Sequence, residues 1–171
     1  VTDRNGEIFV FANDRNTTQK TTLLNLSARV DDSTGEGGMF GLAFDPAFRT
    51  NGYFYVSYGT LVGGNRKFRV SRFRLDSIGG SVASAGSERV VLELEHANGY
   101  HFGGWIGFAP DGTLYISHGD SGIVELAQDP ASLAGKILRI RVNPDGSYAI
   151  PSDNPSPTSA VWASGFRNPW R

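Results

Sequence analysis

The chain has 171 residues, 39% hydrophobic, 19% charged and 12% aromatic, a composition that supports one substantial core and excludes a disordered chain. With 16 Lys and Arg against 17 Asp and Glu the formal charge is −1, so no electrostatic pull toward nucleic acid or an anionic membrane exists. The absence of Cys excludes disulfides, thiolate metal sites and cysteine nucleophiles, and no apolar run approaches the roughly 20 residues of a spanning helix.

Along the chain, short runs of β-branched and aromatic residues alternate with Gly, Asn, Asp and Pro, and almost nothing follows a helical period. The fold class is therefore all-β. Strands are expected at 7–11, 22–26, 40–44, 53–58, 67–75, 89–95, 105–108, 113–117, 137–142 and 160–163. The polar start Val1 to Gly6 does not read as a signal peptide, so either a leader has been removed or the chain begins inside a larger one. Within 67–75 the apolar residues change face at Phe73, which predicts a bulge or a strand covered on both sides. One helical turn is expected at 129–134, where Asp129 would cap and Pro130 would take the first helical position.

A weak repeat lays Leu42-Ala43-Phe44-Asp45-Pro46 on Ile106-Gly107-Phe108-Ala109-Pro110, at an offset of 64 residues, each copy leading through a turn into a second aromatic strand. Repeated strand-turn-strand units of this kind build the blades of a β-propeller, and at this period the chain holds fewer than three. A ring needs about four to eight, so the chain is expected to be a single partial propeller domain, 1–171.

Several segments resemble chemical motifs and fail their structural requirements. Gly35-Glu36-Gly37-Gly38-Met39-Phe40-Gly41 is glycine-rich like a phosphate loop, but a strand pattern follows where a helix N-terminus is needed. Gly119-Asp120-Ser121-Gly122 is similar to a serine-protease nucleophile segment, yet Ile123 replaces the next Gly and no matching histidine context lies upstream. Of three histidines, His96 precedes the turn signal Ala97-Asn98-Gly99 and is expected to be largely exposed, and His118, directly after a strand, is expected to be structural or incidental. His101 stands out because Gly103 and Gly104 follow it and would let a ligand approach the backbone, while the next strand pair ends at Asp120. A carboxylate beside an imidazole fixes its tautomer and stabilises the imidazolium, as a general base requires. Arg167, in the turn-rich Gly165-Phe166-Arg167-Asn168-Pro169, would suit an anionic ligand or developing negative charge.

Taken in order, Gly35 to Phe44, Asn51-Gly52-Tyr53-Phe54-Tyr55-Val56-Ser57-Tyr58, Val70-Ser71-Arg72-Phe73, His101-Phe102-Gly103-Gly104, Phe108 to Ile116, Gly119-Asp120, Gly135-Lys136-Ile137-Leu138-Arg139-Ile140 and Gly165 to Pro169 resemble the glucose/sorbosone dehydrogenase family. These are soluble aldose dehydrogenases that depend on pyrroloquinoline quinone (PQQ). The resemblance implies a six-bladed propeller of which this chain supplies roughly two to three blades. It implies that His101 takes the proton of the sugar C1 hydroxyl while hydride passes from C1 to C5 of the quinone. By the same resemblance Asp120 supports that histidine, Arg167 lies by the quinone carbonyl with Asn168 beside it, and Glu36 faces cofactor and substrate. It implies a sugar substrate, an external electron acceptor, and an extracellular or periplasmic location. The Ca²⁺ ligands and the carboxylate clamps of PQQ come, in the family, from blades after the Arg-Asn-Pro segment. The chain is thus expected to be truncated at both ends relative to the family.

Three positions depart from the family pattern: Tyr100, Trp105 and Gly107 stand where relatives carry other residues, in cofactor-facing neighbourhoods. Hedgehog-interacting proteins also resemble this family and use the propeller as a recognition scaffold without turnover. They carry disulfides, so the absence of Cys favours the bacterial enzyme type. The sequons at Asn16 and Asn25 are no more frequent than chance places them.

Overall fold

A computed structural model describes residues 1–170. Eleven strands carry the fold: β1 (Glu7–Val10), β2 (Thr21–Asn25), β3 (Met39–Phe44), β4 (Tyr53–Val62), β5 (Asn65–Arg74), β6 (Arg89–Glu95), β7 (Gly103–Phe108), β8 (Leu114–His118), β9 (Lys136–Val142), β10 (Tyr148–Ala149) and β11 (Val161–Ser164). Every expected strand is present, and helix is confined to a single α-turn (Phe48–Asn51) and two 3₁₀ turns, Ala85–Ser87 and Val124–Ala127. The helical turn expected at 129–134 does not form; the 3₁₀ turn sits one step earlier, where its carbonyls meet the ammonium of Lys136.

All strand pairs are antiparallel, in two blades and a hairpin. The first blade runs β3-β4-β5-β6, the second β7-β8-β9, with β10 and β11 sharing the outer edge of β9, and β1-β2 forms the hairpin. The repeat seen in the sequence is structural: β3 (Met39–Phe44) and β7 (Gly103–Phe108) are the inner strands of successive blades, offset by 64 residues at both ends. The β4-β5 hairpin is longer than expected because Gly63 and Gly64, at φ 57° and 82°, supply a two-residue turn that lets Val62 pair with Asn65.

The first blade is buried on both faces. Phe68 and Val70 of β5 pack with Ile106, Leu114, Ile116, Leu138 and Ile140 of the second blade, whereas Phe73 and Leu75 pack with Ile8, Leu24 and Leu26 of the hairpin. The change of face at Phe73 thus marks a strand covered on both sides, with a register shift between Val70 and Ser71 against β6 as well. The inner strands approach closely through glycine. A Cβ on Gly104 would meet Phe40 Cβ at 2.3 Å, and one on Gly41 would meet the Gly104 carbonyl at 2.6 Å. Gly104 therefore serves contact between blades, where the sequence suggested room for a ligand. Ser57 Oγ donates to that same carbonyl.

The second blade is tied at its outer end by Arg139. Its buried guanidinium donates to Asp111 Oδ2 at 2.8 Å, Asp153 Oδ1 at 2.8 Å, Asn154 Oδ1 at 3.2 Å and Thr113 Oγ1 at 3.2 Å, with the Trp162 ring 5.0 Å away. Phe44, Trp105 and Trp162 remain exposed on blade surfaces. Such apolar surface, with open strand edges beside it, is a template for association. These residues alone are expected to self-associate, and sedimentation velocity checks it: a single monomer peak with cooperative unfolding would show the blade surfaces to be self-sufficient.

Candidate active site

The segment linking outer strand β6 to inner strand β7 carries His101, and the backbone around it is held in conformations that are rarely adopted. His101 is left-handed at φ 61°, Ser121 at 57°, and Gly103 and Gly104 lie at 70° and 105°. A non-glycine residue there costs about 1–3 kcal/mol and persists only where its surroundings over-determine it. The His101 amide donates to Glu36 Oε2 at 2.6 Å, and the Gly103 amide donates to Asn168 Oδ1 at 2.9 Å. Asn168 Nδ2 reaches Glu36 Oε2 at 3.4 Å, so the two side chains form one clamp over residues 101–103.

Beneath it the imidazole meets its partner. His101 Nδ1 lies 2.7 Å from Asp120 Oδ1, and both residues are buried, at 7% and 2% exposure. The same Asp120 oxygen accepts the Gly122 amide at 2.7 Å, and the Asp120 amide donates to the Arg167 carbonyl at 2.9 Å. With Nδ1–H given to the carboxylate, the His101 Nε2 lone pair keeps no partner among the described residues, as a base requires. His101 lines two adjoining clefts, of about 600 and 350 Å³, the larger with Gly35, Glu36, Gly99, Tyr100 and Arg167. Arg167 is exposed on their rim, and its guanidinium makes no ion pair among the described residues. The structure thus brings His101, Asp120, Glu36 and Arg167 to these two clefts, while Asn168 is joined to them through the 101–103 clamp and itself lines a neighbouring pocket of about 450 Å³ with Glu36 and Gly103.

Two departures from the family pattern explain each other. Trp105 lies back over Gly107, where a Cβ would meet its ring at 2.6 Å. Tyr100 stands edge-on to His101, ring centroids 5.2 Å apart, and rests on Gly122, where a Cβ would meet it at 2.3 Å.

His96 corrects an expectation. It is 2% exposed, stacked on Phe102 at 3.7 Å, with Nδ1 2.8 Å from Ser121 Oγ and 3.2 Å from His118 Nε2, and Nε2 3.2 Å from the Tyr100 carbonyl. The turn signal after it is real; the turn folds Phe102 back onto the ring, and His118 of the second blade covers it as well. His118 is structural as expected, donating from Nδ1 to the Leu133 carbonyl at 3.0 Å.

Burial pushes His96 down to about 3, with His118 adding to the effect, and burial pushes His118 down to about 4. Both are neutral in the native protein where an unfolded chain, titrating near 6.5, takes up protons. Stability is therefore independent of these groups above about pH 6.5 and falls as pH drops toward 4, by up to about 1.4 kcal/mol per pH unit for each histidine. Urea denaturation at pH 7.5 and pH 5 should show this loss, and His96→Gln should reduce the slope. An unchanged slope would mean that His96 protonates freely in the native state.

Sequence reasoning passed over Arg4, whose guanidinium donates to the carbonyls of Gly37 at 2.7 Å, Asp32 at 3.1 Å and Thr34, fixing the loop that presents Glu36. Nothing near Arg4 in the sequence announces this. It also passed over Lys136, a charged residue opening an apolar strand, which was a visible signal.

The model of the glucose/sorbosone dehydrogenase family matches residues 1–170. The chain belongs to the glucose/sorbosone dehydrogenase family. A glucose dehydrogenase-type oxidoreductase from Thermus thermophilus is 35% identical, superimposes with a TM-score of 0.80, and shares 98% of this chain with 47% of its own. The PQQ-bound aldose sugar dehydrogenase of Streptomyces coelicolor is 31% identical, with a TM-score of 0.77, covering 96% of this chain and 46% of its own. Mouse hedgehog-interacting protein is 32% identical over 80% of this chain and 22% of its own length. The chain thus spans less than half the length of each of these relatives. The two blades and hairpin match part of the propeller fold of these dehydrogenase structures.

Proposed function

We propose that a protein containing this chain oxidises an aldose at C1 to the lactone, with PQQ as cofactor and His101 as general base. The observation that carries the reading is the His101–Asp120 pair, with Nε2 left open to a cleft that Arg167 also lines. PQQ is flat and polyanionic; an opening walled by Gly35 and Gly99 and bearing an unpaired guanidinium suits such a group. Arg167 and Glu36 would face it, with Asn168 beside them. When bound, PQQ supplies the two-electron acceptor for the C1 hydride.

The residues of this chain do the rest. His101 Nε2 takes the proton of the C1 hydroxyl, and Asp120, already accepting Nδ1–H, stabilises the imidazolium that results. Arg167 offers positive charge where negative charge develops. Glu36 and Asn168 act on the base through its backbone, by holding the amides of His101 and Gly103, both left-handed residues. By the family resemblance, the Ca²⁺ that accompanies PQQ would be held by blades after the Arg-Asn-Pro segment. Family resemblance also supports an extracellular or periplasmic setting and an external electron acceptor. Among the described residues no helix is long and apolar enough to cross a membrane.

The second reading is a propeller that binds a partner without turnover, favoured by the likeness to mouse hedgehog-interacting protein. Titration with PQQ in the presence of Ca²⁺, followed by absorbance, separates the two. The dehydrogenase reading expects saturable binding that Arg167→Ala weakens, with turnover damaged as well. No binding by the intact protein would promote the recognition scaffold.

A further inference from the structure

Lys136 opens β9, opposite His118 of β8 and Ser164 of β11, and its side chain is fully buried. All three ammonium protons are used on backbone carbonyls: Leu126 at 2.7 Å, Ala127 at 3.0 Å and Ala134 at 2.9 Å. No carboxylate among the described residues touches it. A buried ammonium without a counter-ion is costly unless its hydrogen bonds are complete, and here they are.

The carbonyls it gathers belong to the two segments that support the site from below. Ala127 O also accepts the Gly165 amide at 3.0 Å. The Gly135 amide donates to Gly119 O at 2.9 Å, and Gly135 O accepts the Phe166 amide at 3.1 Å. Gly165 and Phe166 lead into Arg167, Gly119 leads into Asp120, and the bond from the Asp120 amide to Arg167 O closes the ring at 2.9 Å. There is no slack within it, since a Cβ on Gly135 would meet Ala127 Cα at 2.6 Å and Phe166 O at 2.7 Å. The Val124–Ala127 turn that Lys136 caps also contributes Val124 and Ala127 to the wall of the cleft shared by His101, Asp120 and Arg167.

We propose that Lys136 is a positioning residue of the active site: its ammonium draws the 124–127 turn and Ala134 together and thereby sets Asp120 and Arg167 relative to His101. The functional part of this inference rests on the dehydrogenase reading; the positional part does not. Removal of the ammonium takes the donor from the Leu126 and Ala134 carbonyls and leaves Ala127 O with the Gly165 amide alone, and the backbone that carries the two site residues loosens first.

The test uses the cofactor-free protein and amide hydrogen exchange. Lys136→Met should speed exchange at the amides of Asp120, Gly165 and Phe166 by at least about tenfold, while amides of the β4-β5 hairpin keep their protection. Lys136→Arg, which keeps charge and donors, should recover part of the loss. If the Met variant does not fold, Lys136→Gln carries the same expectation. With PQQ and Ca²⁺ added, kcat should fall while the aldose KM changes little. Unchanged exchange at those three amides, or equal acceleration throughout the chain in both variants, would overturn the proposal. If exchange behaves as expected but PQQ does not bind, the positional role stands and the dehydrogenase reading falls.

Discussion

Replacing His101 with Ala is expected to lower kcat at least about 100-fold in the protein reconstituted with PQQ and Ca²⁺, within the roughly 10²–10⁴-fold that general-base catalysis supplies. PQQ affinity should change much less, because the imidazole is bound to Asp120 and its loss leaves Arg167, Glu36 and Asn168 in place. Asp120→Asn should cost less than His101→Ala, since the amide can still orient the ring but no longer offers charge to the imidazolium. His118→Gln is the control: its ring lies in the core against Phe68, and its amide replacement retains a donor for the Leu133 carbonyl. Steady-state assays with an aldose and an artificial acceptor measure all three. Equal activity of His101→Ala and the parent at saturating PQQ would remove His101 from the mechanism.

Gly119→Ala is expected to be the most damaging single-methyl change in the chain. A Cβ at this position would stand 1.8 Å from the His101 carbonyl oxygen, 2.6 Å from its carbon and 3.2 Å from the Arg167 carbonyl oxygen. No side chain can turn away, because the obstacles are backbone. Relief requires the 101, 119 and 167 segments to separate, and overpacking of this kind costs about 1–3 kcal/mol. Displacing a base by about 1 Å costs on the order of 100-fold in rate, so activity should fall further than stability. Gly86→Ala is the comparison, with only Ser84 Oγ near at 3.3 Å and no left-handed backbone to strain. Thermal unfolding and turnover of the two variants decide the point; a Gly119→Ala protein with unaltered melting and rate would mean that the site backbone has room to give.

What the sequence made legible was local. Alternation and turn residues located the strands, and the match of Phe44 to Phe108 found the two inner strands, because a blade is built from neighbouring segments whose signals stay within reach of one another. His101, Asp120, Glu36, Arg167 and Asn168 were all singled out, and they converge. Their division of labour was not legible. Glu36 holds the amide of His101 rather than only facing the cleft, and Gly104 admits Phe40, since both depend on how the innermost strands of two blades meet. The exposure expected for His96 failed for the same reason: Phe102 and His118 cover it only where the segment before β7 folds back and the second blade packs against the first. At 129–134 the capping signal is realised without the helix: Asp129 Oδ1 accepts the Ala131 amide at 2.9 Å and its carbonyl accepts the Ser132 amide at 3.2 Å, but the turn is not extended, and the Ala134 carbonyl is taken by Lys136.

Oxidation at this site would take a proton from the C1 hydroxyl and a hydride from C1 of a sugar. Single-turnover reduction of bound PQQ by an aldose, followed by absorbance without an external acceptor, measures it directly, with unlabelled and C1-deuterated sugar compared. The unlabelled sugar should reduce the cofactor, deuterium at C1 should slow the rate, and His101→Ala should lose about a further two orders of magnitude. PQQ that binds but is not reduced by any aldose, or a rate indifferent to deuterium at C1 and to His101, would contradict it.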